Sequence, residues 1–509
     1  MSSRLDISST DHTASESLLA SILVARFLRS NNYHETLNTF INEAGLPPNV
    51  GAFRRAQNTG DDKLDGANIV NKWTLEGIIQ EKKKFDQTLS FERLGDSHAN
   101  NEGWTMPAPA VLKAIETPAS SNLLSASVEP WQMDDGVQDK DQKATYLVAT
   151  GADKRLNLFN LDADNTVAAS ISGLTDSPIL SYASIRGGQY HLLATMSGQL
   201  LLVRGNEIID RRKDHTKYVV KVVAYEDHDN HIWIVTAGWD MQVFIYSIKP
   251  NSSSGTELEI GNPVGSLKVP TNPESILLVH HPETRDLTLL LSRRDSTYIY
   301  YYNIEPLRTR DSQQRSCKEI GKQNLAPNSN AWVSFSPSCM TQNPRDPGII
   351  AVALSTLPHM KVMIVRLLFP TKRNTGDDER VNNEATPATH LSQSNASLAL
   401  QNHEDAAIII QANTFAPQTA YSTPQVVWRP DGSGVWVNGD DGVIRGIESK
   451  TGKLVTMLKN GHEAGIKVRS IWAGWVEGEE WLVSGGFDKK LIVWKPERSE
   501  TRLSSNRGI

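Results

Sequence analysis

Three fourteen-residue windows of this chain align without a gap, and that repetition constrains its fold more than any other feature. They are YLVATGADKRLNLF (146–159), WIVTAGWDMQVFIY (233–246) and WLVSGGFDKKLIVW (481–494). Each reads as an apolar strand, a small-residue step ending in glycine, one variable residue, an aspartate, and a second strand ending in an aromatic. Asp153, Asp240 and Asp488 all stand six residues before that aromatic. Agreement at both ends of the window makes the strand–turn–strand hairpin a repeated unit, which points to a solenoid, a propeller or an array.

Weaker copies fill the intervals. They are HLLATMSGQLLLV (191–203), LTLLLSRRDSTYIYYY (287–302), IIAVALSTLPHMKVMIVRL (349–367) and GVWVNGDDGVIRGIE (434–448). With the three strong copies they make seven hairpins, spaced by roughly 40 to 60 residues. AWVSFSPS (331–338) and QVVWRPDGS (425–433) read as the inner strands ahead of two of them, each leading in through a proline turn. Four strands per unit, repeated seven times, is a propeller count. Polar insertions at 251–260, 307–318 and 371–404 fall between units, where a loop lengthens at modest entropic cost. The last of these is expected to be disordered.

Ahead of the repeats the periodicity is helical. Leu19, Ile22, Leu23 and Phe27 recur at steps of three and four, which gives one apolar face. Asn31-Asn32 interrupts the pattern. Tyr33, Leu37, Phe40 and Ile41 begin a second face, ended by Gly45 and the Pro47-Pro48 pair. Two helices of this size are too small to be stable alone, so they need a partner chain or a neighbouring domain. The predicted organisation is a disordered stretch over 1–16, a helix pair over 17–46 and a linker over 47–72. A third helical stretch follows over 73–95, with Leu75, Ile78, Ile79, Phe85 and Leu89 on one side. The propeller then spans 107–497, and 498–509 is a disordered tail.

Composition narrows the function classes. With 52 basic and 58 acidic residues the net charge is −6, so nothing favours direct binding to nucleic acid or to an anionic membrane. Cys317 and Cys339 are the only cysteines, too few for a disulfide framework or a structural zinc site. The polar N-terminus lacks the order of a secretory signal, and no apolar run approaches the roughly 18 residues of a membrane span. The chain is therefore expected to be soluble and intracellular, in the cytoplasm, the nucleus or both.

The C-terminal four-fifths of the chain resembles the WD-repeat family. Its fullest copy of the repeat is Gly461-His462, Ser484, Asp488 and Trp494, with Lys495 where the family usually has Asp. The third unit keeps Asp214-His215, Thr236 and Asp240, with Tyr246-Ser247 in place of Trp-Asp. The first keeps Asp153, with Ala149 and Phe159 at the Ser/Thr and Trp positions. The resemblance implies that His215, Thr236, Asp240, His462, Ser484, Asp488, Trp494 and Asp153 form buried hydrogen-bonded sets that tie strands together. It also implies that VLKAIE (111–116), a strand without a blade, completes the last blade beyond 491–494. The helix pair resembles a LisH motif through Leu23-Val24, Phe27-Leu28, Tyr33, Thr36-Leu37, Phe40 and Glu43, with Asn32 where the motif usually has glycine. LisH motifs typically dimerise, which puts Leu23, Phe27, Leu28, Tyr33, Leu37 and Phe40 at a homodimer contact. The implied fold class is mainly β: a seven-bladed WD-repeat β-propeller with an N-terminal α-helical LisH dimerisation motif.

The recurrence of the His–Asp pairing at equivalent positions in separate units argues for a structural rather than a catalytic use. No histidine pair has a helical metal-ligand spacing, and no GxGxxG, P-loop or GxSxG sequence occurs. No cofactor, metal or catalytic residue is expected. Arg293-Arg294 invites comparison with phosphoinositide-binding propellers, but the run is Ser-Arg-Arg-Asp and reads as a solvated turn. Trp239, Arg294 and Phe487, each just before the turn position held by Asp, are the expected partner-binding residues. Lys154 and Lys489 are their neighbours, and Trp and Arg are enriched at interface hot spots. The function implied is a non-catalytic scaffold that docks other proteins. A propeller enzyme or a phosphoinositide-binding propeller is the alternative.

Overall fold

Each of the seven windows folds as an antiparallel hairpin, because an apolar run on either side of a short turn buries best against its own neighbour. The structure, a computed structural model, describes residues 21–50, 74–76, 103–133, 144–162, 164–249, 258–308, 315–328, 335–370 and 390–497. The chain divides into two compact units, residues 1–101 and 102–509.

The larger unit is a seven-bladed β-propeller. Its blades span 123–171, 179–212, 219–268, 273–324, 337–417 and 426–458, and the seventh comprises 468–496 with the strand Pro109–Ile115. Every blade is a four-stranded meander, extended in blade 3 by the two-residue parallel strand Arg315–Ser316. Pro109–Ile115 pairs antiparallel with Leu491–Pro496, setting Leu112 opposite Trp494 and Ile115 opposite Leu491. The first strand of the propeller is thus the outermost strand of its last blade, and covering that edge closes the ring.

The core is divided seven ways, and each part lies between adjacent blades. Leu147 and Phe159 of blade 1 pack with Val483 and Leu491 of blade 7. Trp233 and Val243 of blade 3 pack with Leu289 and Tyr302 of blade 4, and the other five junctions are built alike. A strand buried on both faces reads as a near-continuous apolar run, and this is why Ile232–Gly238 is buried at every position. Serines link neighbouring inner strands. The Ala126, Val222 and Met340 amides donate to Ser470, Ser181 and Ser275 of the preceding blade at 3.0, 3.2 and 3.0 Å.

Two expectations are corrected here. The inner strand of blade 5 is Pro337–Gln342, so it begins where the expected strand 331–338 ends; residues 331–334 lie outside the described residues. The proline opens the strand because it has no N–H to offer a ladder. The insertion expected to be disordered over 371–404 contains a helix, His390–Ala406. That stretch lacks Gly and Pro and carries Ala, Leu and Gln, which favour helix. Glu404 near its end accepts from the Asn324 amide at 2.7 Å. Residues 371–389 lie outside the described residues.

In the smaller unit a helix over 21–30 meets a second, His34–Glu43, through the Asn31-Asn32 turn. Asn32 has φ +60°, the left-handed conformation that asparagine tolerates. Leu37 packs with Ala25 and Ile41, and Leu28, Phe40, Leu46 and Val50 close around them. This core extends past residue 46, where the pair was expected to end, because the chain beyond the helices folds back. Arg29 donates to the Pro48 and Val50 carbonyls at 3.1 Å each. Of the third helical stretch only 74–76 are described; the disordered stretches expected over 1–16 and 498–509 lie outside the described residues. Among the described residues no helix is long and apolar enough to cross a membrane.

Candidate functional site

The hairpin turn inside each blade fixes the site. In blade 7, Gly486 ends the second strand, and its Cβ, if it had one, would meet Asp488 Oδ1 and lie 2.6 Å from His462 Nδ1. Glycine there leaves room for a buried polar set. Trp494 Nε1 donates to Ser484 Oγ at 3.0 Å, His462 Nε2 lies 2.9 Å from the same hydroxyl, and His462 Nδ1 lies 3.0 Å from Asp488. A neutral imidazole with its proton on Nδ1 satisfies every member in one direction: indole to hydroxyl, hydroxyl to Nε2, Nδ1–H to carboxylate. Burial pushes the Asp488 carboxyl up, but His462 and the Glu463 and Lys490 amides outweigh it and hold the group below the usual carboxylate range.

Blade 3 repeats the arrangement. His215 Nε2 lies 2.9 Å from Thr236 Oγ1 and Nδ1 lies 3.0 Å from Asp240, whose carboxylate also accepts from the Thr216 amide at 2.9 Å. Burial lowers the His215 pKa, with Asp240 opposing. Tyr246 turns its phenol to Asp214, 3.0 Å away, which Arg212 grips as well. In blade 1 the set shrinks to Asp153 accepting from the Arg155 amide at 3.4 Å. A fourth aspartate escaped the sequence reading. Asp441 of blade 6 is held by Arg445 through Nη2 at 2.6 Å, so an arginine from the third strand takes the histidine's place. The signal was the shared Gly-x-Asp spacing of Gly439 to Asp441, hidden by the absence of histidine.

The side chains of His215 and Asp240, 2 % and 3 % exposed, and of His462 and Asp488, both 0 % exposed, are shut away from solvent. Among the described residues no group of three or more His, Cys, Asp or Glu is placed to hold a metal. Arg293 donates to Tyr300 and Thr271 at 2.6 and 3.1 Å, and Arg294 to Glu274 at 2.7 Å.

The exposed side chains of the same turns form a rim. Trp239 is 38 % exposed, stacks on Tyr218 at 5.5 Å and lies under the Arg294 guanidinium at 5.7 Å. Trp239 and Arg294 therefore come together across the junction of blades 3 and 4. Phe487 is equally exposed on blade 7, and its amide donates to the Lys467 carbonyl at 3.0 Å. Lys154 and Lys489 are exposed on blades 1 and 7, neighbours around the ring but separated from Trp239. Beside Arg294 a cleft of about 380 Å³ runs between Glu274, Ser336, Leu357 and Thr419. Tyr218 went unrecognised because it lies outside the repeated window.

Of the residues expected at a dimer contact, Leu23 and Leu37 are buried, Phe27, Leu28 and Phe40 are half-buried, and Tyr33 is exposed with its ring 6.4 Å from that of Phe27.

Two family models match the chain. One, described as UCP007778, beta-propeller domain, covers residues 137–495, and the other, UCP007778, LisH domain, covers residues 20–48. No curated protein matches it.

Proposed function

The chain belongs to the UCP007778 family, a LisH domain followed by a β-propeller, and from that premise we propose that it is a non-catalytic scaffold docking protein partners on its propeller rim. One observation carries the reading. The histidines and aspartates of the repeated turns are turned inward onto one another, while the aromatic side chains between them, Trp239 and Phe487, stay exposed. A large aromatic left in water on a rigid turn serves a docking surface better than it serves the fold. The His–Ser/Thr–Asp sets also support reading the blades as degenerate WD repeats.

We read the helix pair as a homodimer contact built on Phe27, Tyr33 and Phe40. Two propellers on one dimer give two rims, and linked sites raise apparent affinity without new contacts. The test is affinity purification with quantitative mass spectrometry, comparing the full chain with Trp239→Ala/Phe487→Ala at matched folding. Partners depleted from the variant support the scaffold. An unchanged set of partners, or turnover of a substrate by the purified protein, contradicts it.

A further inference from the structure

We propose that the arc of the rim running through blade 7, blade 1 and the loop entering blade 3 is a receptor for an acidic segment of a partner protein. Its carboxylates are taken by Lys489, Arg469, Lys154, Lys213 and Lys217. The inference rests on the scaffold reading and specifies the chemistry of what docks.

The first ground is backbone conformation. Lys154 and Lys489 occupy the same position of their turns, both with φ +67°. In blades 2 and 6 that position is glycine, Gly198 and Gly442, with φ +84° and +78°, and in blade 3 it is Met241 with φ +61°. Left-handed backbone disfavours a side chain, so glycine is the least strained residue at this position, and the fold itself gives no reason for a lysine there. The two lysines are exposed, their amides bonded within the turn to the Gly151 and Gly486 carbonyls at 3.2 Å each, and neither ammonium has a hydrogen bond or ion pair among the described residues. Strained residues that the fold does not require point to a use outside it.

The second ground is Arg469. It sits at the irregularity between Val468 and Ser470, where the inner strand of blade 7 meets the rim. Its side chain is half-buried and has no hydrogen bond or ion pair among the described residues. Burial holds its pKa below the ordinary guanidinium value. A partly desolvated guanidinium without a counter-charge gains when an anion arrives.

The third ground is the fate of the acids on this arc. Asp240 and Asp488 accept from His215 and His462 and from the Thr216 and Glu463 amides of the loops that precede their blades. Asp153 accepts from the Arg155 amide through one oxygen, and Asp214 is held by Arg212 and Tyr246. Glu463 lies 3.5 Å from Lys490. Glu116 and Asp176 remain exposed, against five cations. A chain of net charge −6 thus carries one arc of the opposite sign. A short acidic segment senses only the charges within a Debye length of about 8 Å. A long polyanion would also meet the acidic remainder of the molecule, which favours a peptide over nucleic acid or membrane.

The test uses the full chain and a fluorescent oligoglutamate peptide of about ten residues, an extended reach of roughly 35 Å. Binding is expected, absent for oligoserine, and weakened at least about tenfold in Lys154→Gly/Lys489→Gly, whose melting temperature is equal or higher because glycine suits those turns. Arg469→Gln is expected to weaken binding as well. Equal affinity in the glycine variant overturns the inference, as does binding of a single-stranded oligonucleotide or anionic vesicles without binding of oligoglutamate. If Trp239→Ala/Phe487→Ala loses its co-purifying proteins while the glycine variant binds the peptide unchanged, the scaffold stands and the acidic-segment inference falls.

Discussion

Gly461 lies beneath the indole of Trp494: a Cβ on that glycine would come within 2.5 Å of Cζ2. The same pair of positions in blade 3 holds Asp214 and Tyr246, where the phenol donates to the carboxylate. A large ring with a bare backbone, or a smaller ring with a bonded side chain, fills one space in two ways. Gly461→Ala is therefore expected to destabilise the propeller by about 1–3 kcal/mol through overpacking. Chemical denaturation would show it as a lower midpoint at unchanged slope.

Trp104 anchors the entry to the propeller. Its ring fits a slot floored by Gly434 and Gly446, either of whose Cβ would come within 2.5 Å of it, and it stands edge-on to Trp436 at 5.1 Å. Arg429 lies 4.3 Å over the same ring and makes a buried fork to Glu480, closing to 2.6 Å, while Nη1 donates to the Thr105 carbonyl at 2.9 Å. Arg429→Ala is expected to cost about 3–5 kcal/mol, since it leaves the Glu480 carboxylate buried without its partner. Trp104→Ala is expected to cost about 3 kcal/mol. Thermal melts of the two variants check both, and a change below about 0.5 kcal/mol in either would contradict the anchor.

Stability should fall with pH well above the range of carboxylates. His191 is fully buried, stacks on Trp131 at 3.3 Å, and has Nε2 3.0 Å from the Gly188 carbonyl. Burial lowers its pKa to about 3, with Gly188 opposing, against roughly 6.5 in the unfolded chain. The unfolded state takes up the proton first, so this contribution is complete above about pH 6.5 and is lost as the pH falls toward 3, by up to ~1.4 kcal/mol per unit. Asp488, held low, adds its own loss only below about pH 4. Denaturation midpoints at pH 7, 5.5 and 4 (roughly the window set by these values) should decline less in His191→Gln than in the parent chain.

Light scattering of the full chain is expected to give twice the chain mass. Phe27→Asp/Phe40→Asp, which places charge on the half-buried apolar side of the helix pair, is expected to give a single chain. A monomeric parent protein would remove the avidity argument.

The hairpins were legible because their strands are buried on both faces and five of the seven turn on a glycine, as at Trp233 and Gly238. The closing strand was legible because 111–116 had no hairpin of its own. Apolar periodicity failed where other local signals decide. The inner strand of blade 5 begins at Pro337 because a proline can open a strand, and His390–Ala406 is helical although its mixed, polar sequence shows no apolar face. At the site, His462 and Asp488 could be paired by register alone. Trp104 could not, since nothing near it in sequence announces a slot made by Gly434 and Gly446, more than three hundred residues on.

Partners that dock on the rim leave a mark there, and cross-linking mass spectrometry of complexes purified with the full chain tests this most directly. Lysine-reactive cross-links to a partner are predicted at Lys154, Lys217 and Lys489, all exposed on the hairpin-turn side. Partner cross-links confined to lysines elsewhere on the chain, with those three modified as freely as in the isolated protein, would contradict it.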